Sequence, residues 1–199
     1  QVLTSMGSIA AIVYLYTNLD RGFDLTDEAY YLLWIDHPSA YDIAPSMFGF
    51  VLSPVYHFLG SDPAAPRRFC LILLALAAAA MCWTSVRLNS HRKLLLADEI
   101  VVLSAAAAAV VTYYYWWLPT PSYNWLSLVA AFPLRTGLLL VQHGKAVIGS
   151  ALLVGLSGVL AFAGKPTAGI GFALVYLFSV TALDGFSLKT LRHIALSGG

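Results

Sequence analysis

Asp24-Leu25-Thr26-Asp27-Glu28-Ala29-Tyr30-Tyr31 is a polar island between apolar segments, with three carboxylates followed at once by aromatic residues. An ionised carboxylate held away from water costs several kcal/mol unless it is paired or hydrated. A largely apolar chain therefore keeps such a cluster either to start a helix in a solvated loop or as an acidic centre at a membrane surface. With Asp24 as an N-cap, Asp27 and Glu28 would fall in the first helical turn, where acids are favoured by about 0.3–1 kcal/mol each. A helix start is also a rigid mount for a catalytic acid, so the two readings are compatible.

Composition decides the broad class. Of 199 residues, 59% are hydrophobic and 11% are charged, whereas soluble domains carry about 25% charged residues. A globular core of this size does not need so much apolar surface, but an integral membrane protein does. The formal net charge is +1 and there is no basic tract, so no nucleic-acid partner is expected. Cys70 and Cys82 lie about 18 Å apart along one apolar segment, too far for a disulfide between them. The chain opens at Gln1 and closes on Ser197-Gly198-Gly199 directly after an apolar run, and is expected to be the N-terminal transmembrane module of a longer protein.

Outward from the island, residues 2–19 carry no charge and reach about 27 Å as a helix, just enough for the hydrocarbon layer. The acidic loop and two juxtamembrane helices occupy 20–66. The first of these helices, 27–35, puts Asp27, Tyr31 and Trp34 on one side, its aromatics favouring the membrane interface. The second, 46–59, contains Pro54 and is only about 20 Å long, too short to span comfortably. Further spans are expected at about 69–86, 97–118, 125–141, 146–163 and 168–183. They are separated by the basic 87–93 link, Pro119-Thr120-Pro121-Ser122, the 142–145 link and Gly164-Lys165-Pro166-Thr167. Pro133 would kink the fourth span. Arg135 near its mid-depth costs about 2.5–3.5 kcal/mol on insertion scales, unless it pairs in the bundle or already lies at the interface. Gly149, Gly155 and Gly158 would allow close helix contact in the fifth. The expected fold is all-α: a polytopic transmembrane helix bundle of about six spans, plus two juxtamembrane helices in the first outer loop.

Six spans put Arg87, Arg92, Lys93, Lys145, Lys189 and Arg192 on one side and Arg21, Arg67, Arg68 and Lys165 on the other, with nearly all the loop acids. The more basic side is cytoplasmic, which makes the acidic loop extracytoplasmic. On that face gather Asp24, Asp27 and Glu28, the Arg67-Arg68 pair, the 119–124 break with Tyr123 and Asn124, and Lys165. Arginine and lysine there suit a phosphate or pyrophosphate. Each feature also has an ordinary explanation. Arg67, Arg68 and Lys165 can snorkel, or the arginines can pair with Asp62. Tyr123 and Asn124 can simply start a helix, Tyr31 can anchor at the interface, and His57 can pack. No metal site is assigned, because no His or Cys spacing fits one; a divalent ion at Asp27 and Glu28 would need help from a phosphate. No Gly-rich phosphate loop or Gly-x-Ser-x-Gly turn supports nucleotide hydrolysis or α/β-hydrolase chemistry.

A first span, a loop carrying Asp27-Glu28-Ala29-Tyr30-Tyr31 and then two juxtamembrane helices resemble the GT-C membrane glycosyltransferases. The closest types are the protein O-mannosyltransferases and the lipid A aminoarabinose transferase. Gly60 followed by Arg67-Arg68 fits the same pattern. Leu160-Ala161-Phe162-Ala163-Gly164-Lys165-Pro166 resembles the Phe-x-x-Lys-Gly-Pro-like break of bacterial members, so the likeness extends over most of the chain. The resemblance implies transfer of a sugar from a polyprenyl phosphate to an acceptor hydroxyl, with a loop aspartate as general base. Carried over, Asp27 is the base and Glu28 its helper in acceptor binding or charge balance. Asp24, Tyr31, Arg67, Arg68, Tyr123, Asn124 and Lys165 are the implied substrate contacts. A phosphate leaving group needs little protonation, and direct displacement inverts the anomeric centre.

The implied partners are the polyprenyl-phosphate-linked sugar, a glycan, lipid or protein acceptor and membrane lipids, with no cofactor, at a bacterial inner membrane. Two departures matter. Ala44 precedes Pro45 where some relatives carry a lysine, so Arg67, Arg68 or Lys165 must take over the lipid phosphate, or the donor differs. Asp24 is an additional acid and a second candidate base. The rivals are a non-catalytic membrane scaffold or complex subunit and, behind it, a transporter, for which only Arg135 lies deep in a span.

Overall fold

The computed structural model describes residues 2–22, 27–41, 46–90, 95–116, 119–184 and 195–196. Eight α-helices carry them: α1 (Val2–Asn18), α2 (Asp27–Asp36), α3 (Phe48–Phe58), α4 (Ala64–Asn89), α5 (Leu96–Trp116), α6 (Tyr123–Gln142), α7 (Val147–Gly164) and α8 (Pro166–Asp184). A single 3-10 turn, Pro38–Ala40, lies between α2 and α3, and no strand occurs among the described residues. Four helices are long and apolar enough to cross a membrane: α4, α5 over Leu96–Tyr114, α6 and α7. The chain is thus an all-helical protein with the makings of a membrane protein. At 17 residues α1 is a little short, as is the 17-residue apolar part of α8, Pro166–Ala182.

Local chemistry explains where the helices begin. α4 starts five residues before the expected 69, because Asp62 Oδ1 accepts the Ala64 N–H at 3.1 Å. Pro66 is tolerated there, since a first-turn N–H would be unsatisfied in any case. Arg67 and Arg68 therefore belong to the helix itself rather than to its approach. α3 runs through Pro54 and ends in two left-handed residues, Gly60 (φ 84°) and Ser61 (φ 58°). α6 likewise continues through Pro133, and Tyr123 and Asn124 form its first turn. Pro166 opens α8 at its first position.

The chain divides into two compact units, Gln1–Ser122 and Tyr123–Gly199. In the first, α5 packs against both α1 and α4, and α2 packs on α3. A buried hydrogen bond between Ser5 Oγ and Ser104 Oγ, 2.9 Å long, ties α1 to α5. Between α2 and α3, Trp34 meets Phe48 edge-on at 4.6 Å, and Tyr31 meets the same ring at 5.6 Å. Gly49 lies so close beneath Trp34 that a β-carbon there would sit 2.7 Å from both its ring and its carbonyl oxygen.

In the second unit α7 packs against α6 and α8 around Leu134, Leu138, Val154, Tyr176 and Val180. Ser157 Oγ donates to the Ala130 carbonyl at 2.6 Å, a polar fastener between two apolar helices. Two of the three glycines expected to permit close approach, Gly149 and Gly158, do not face a neighbouring helix closely. A β-carbon on Gly158 would meet nothing, and one on Gly149 only its neighbour Ala146 at 3.6 Å. On Gly137 it would press on Val154 at 2.8 Å, and on Gly164 on the Tyr123 carbonyl at 3.0 Å. A glycine matters only on the face turned to the partner helix, and glycine spacing within one helix does not reveal that face.

A candidate site at the start of α2

α1 ends at Asn18, and the chain turns through Leu19 and on to Gly22, whose φ of 65° suits glycine. That turn aims two carbonyls at the first turn of α4. Arg67 Nη1 donates to Leu19 O at 2.7 Å, and Nη2 reaches Gly22 O at 3.4 Å. The same Nη2 donates to Glu28 Oε2 at 2.8 Å, while Nε donates to Thr120 Oγ1 at 3.0 Å. Thr120 closes the ring by giving its backbone N–H to Glu28 Oε1 at 3.1 Å. Arg67 is 0% exposed and Glu28 and Thr120 are 1% exposed. One guanidinium thus joins the end of α1, the start of α2, the start of α4 and the segment before α6.

A buried ion pair is tolerable when the remaining donors and acceptors are satisfied, and here the fork of the arginine finds a partner on every nitrogen. Both oxygens of Glu28 accept bonds from protein groups. Asp27 is different. Neighbouring residues on a helix point about 100° apart, so with Glu28 turned inward Asp27 faces out, and it is exposed. Its carboxylate has no hydrogen bond or ion pair among the described residues.

Arg68, one position on from Arg67, is half-buried, with its guanidinium carbon 5.9 Å from the centre of the Tyr16 ring. Its Nε is buried without a hydrogen-bond partner. Searches of protein-family models, of curated proteins and of solved structures find no match to this chain.

The remaining residues singled out by sequence fall in several places. Tyr31 is buried and packs its ring on Phe48, so of the side shared by Asp27, Tyr31 and Trp34 only Asp27 reaches solvent. Asp24 lies outside the described residues. Tyr123, Asn124 and Lys165 belong to the second unit, where the Lys165 ammonium stands 5.2 Å from the Tyr123 ring centre. His57 is exposed and joins the ends of α2 and α3, with Nδ1 3.1 Å from Ser61 Oγ and Nε2 3.8 Å from Asp36 Oδ1. Among the described residues no group of three His, Cys, Asp or Glu side chains could hold a metal ion.

Sequence reasoning missed Thr120. Its signal was present but faint: a hydroxyl residue between two prolines, Pro119 and Pro121, in a break that the sequence places on the candidate face but from which it singles out only Tyr123 and Asn124. It also missed the Leu19 and Gly22 carbonyls, which no side-chain pattern announces.

Proposed function

We propose that this chain is a polytopic membrane glycosyltransferase module that moves a sugar from a polyprenyl phosphate to an acceptor hydroxyl at the extracytoplasmic face, with Asp27 as general base. The observation that carries this reading is the contrast between neighbours. Glu28 is locked to Arg67 and Thr120, and that lock holds α2 so that the exposed Asp27 is presented from a fixed helix start. A base must be accessible and held in place, and Asp27 meets both conditions.

In the reaction Asp27 takes the proton from the acceptor hydroxyl. The hydroxyl oxygen forms its bond to the anomeric carbon as the bond to the phosphate oxygen breaks, and the phosphate leaves with the electron pair. Arg67 is engaged by protein carbonyls, Thr120 and Glu28 and serves to position α2. Arg68, half-buried beside Tyr16 and with no ion pair among the described residues, is then a cation of this unit suited to steady the leaving phosphate. On this reading α1 and α8 complete six spans in a bacterial inner membrane.

The test is transfer of radiolabelled sugar from polyprenyl-phosphate donors (mannose, glucose and aminoarabinose forms) by the full-length protein in vesicles. Asp27→Asn should lower transfer at least about a hundredfold, the scale of general-base catalysis, with folding intact. Normal transfer by that variant would remove Asp27 as base.

A second reading is supported by the completeness of the Glu28–Arg67–Thr120 ring. Acids that open α2 and satisfy an arginine can serve structure alone, as they would in a non-catalytic scaffold or complex subunit. Absence of transfer with every donor and acceptor pair, in a protein that assembles stably with membrane partners, favours that reading.

A further inference from the structure

Arg135 stands on α6, two residues beyond Pro133 and two helical turns, about 10 Å, inside the end of the helix at Gln142. Its helix neighbours Leu134, Leu138 and Leu139 are buried within the second unit, yet Arg135 is exposed and has no hydrogen bond, ion pair or ring contact among the described residues. The other arginines on membrane-capable helices are placed differently: Arg67 pairs with Glu28, Arg87 with Glu99, and Arg68 lies over Tyr16. An ionisable side chain held in a membrane-spanning helix without a partner is costly, and one that persists faces a partner or a wet cavity.

We propose that the face of α6 centred on Arg135 docks a second membrane-spanning helix that carries an aspartate or glutamate at the same depth. Leu128, Ala131 and Phe132 are half-buried and, with Arg135, follow the i, i+3, i+4, i+7 spacing of one helix face. They make an apolar seam around the charge, with a small residue near its middle that lets a helix approach. A carboxylate on that helix accepts two parallel N–H bonds from the guanidinium and removes the unpaired charge. With α6 spanning the hydrocarbon layer, lipid phosphates would meet the helix end, about two turns from Arg135.

A second copy of this chain does not supply the acid from its described residues. Glu28 and Glu99 are bonded to arginines, and Asp98 Oδ2 accepts the Leu95 N–H. Asp20, Asp27, Asp36 and Asp62 lie outside the four membrane-capable helices, and Asp184 is the last residue of α8 rather than two turns inside a helix. The partner is therefore a helix other than the described ones.

The experiment reconstitutes the full-length protein in phosphatidylcholine vesicles at mildly alkaline pH. Energy transfer is measured to labelled polyleucine membrane peptides that carry one Glu, Gln or Lys two turns from an end. The Glu peptide is expected to bind roughly tenfold tighter than the Gln peptide, the scale of a model interhelical polar contact. Arg135→Leu should bring the Glu peptide down to the Gln level, and Arg135→Glu should transfer the preference to the Lys peptide. Equal binding of the Glu and Gln peptides overturns the proposal, as does a Glu preference that survives Arg135→Leu. Loss of the preference when phosphatidylglycerol replaces phosphatidylcholine assigns Arg135 to lipid headgroups and overturns it too.

Discussion

Arg67 and Glu28, 39 positions apart in sequence, meet at 2.8 Å with neither side chain reaching solvent. Removing one partner leaves the other charged and buried, which costs about 3–5 kcal/mol. Arg67→Met and Glu28→Leu are each expected to lose stability on that scale in detergent unfolding. The double variant should lose clearly less than the sum, because neither charge is then orphaned. Additive losses would show that the two side chains do not depend on one another.

Thr120 contributes through two separable atoms. Its hydroxyl accepts from Arg67 Nε, and its backbone N–H donates to Glu28. Thr120→Val keeps shape and backbone but strands an Nε–H of a buried cation, so a loss of about 1–3 kcal/mol is expected. Thr120→Ser restores the acceptor and should recover most of it. The comparison to make is the unfolding midpoint of the two variants side by side.

The helices were largely legible because hydropathy and proline, glycine and charge breaks act locally. α2 begins at Asp27 and α8 at the Gly164-Lys165-Pro166 break, as their sequences imply. The start of α4 was not legible, since it depends on an Asp62 side-chain cap in a stretch that reads as a turn. In the site, the polar cluster was visible, but the division of labour within it was not. Asp27 and Glu28 are equivalent in composition, and only the helix phase relative to Arg67 makes one buried and the other exposed. Which of Arg67 and Arg68 points inward is decided by the same 100° step.

That step separates stability from activity. Asp27 is exposed and unbonded among the described residues, so Asp27→Asn should leave stability within about 0.5 kcal/mol. Glu28→Gln keeps the shape but removes the charge opposite Arg67, and should destabilise strongly. On the proposed function, Asp27→Asn alone combines a normal unfolding curve with transfer lowered by about 10²–10⁴. Parallel unfolding and transfer assays on the two variants check this, and a destabilised Asp27→Asn would show that Asp27 also holds the fold.

Gly49 carries the contact between α2 and α3. Its absent side chain lets Trp34 lie against the helix backbone, and the Trp34 carbonyl oxygen cannot swing aside as a side chain would. Gly49→Ala is expected to cost about 1–3 kcal/mol by overpacking and to change Trp34 fluorescence as the ring is displaced from Phe48. Gly158→Ala, which meets open space, is the matched control and should be close to neutral.

Tyr56 gives the C-terminal end of α3 a pH dependence at the alkaline end. Its hydroxyl donates to the Ser61 carbonyl at 2.9 Å, fastening the left-handed residue that closes α3. Burial first, then the Asp36 and Asp62 carboxylates, hold the phenol above its ordinary value of 10.0. The folded state therefore binds this proton more tightly than the unfolded chain does. The stabilisation is fully present below about pH 10 and is lost as pH rises through the raised folded value. Tyr56→Phe lacks both the bond and the titration. Wild type should exceed it by about 0.5–1.5 kcal/mol near neutrality, and the gap should shrink as the solution passes pH 10. The other tyrosines and lysines titrate in both proteins, so the difference between the two unfolding profiles isolates Tyr56. A gap that stays constant up to pH 11 would show that the phenol's proton does not hold the turn.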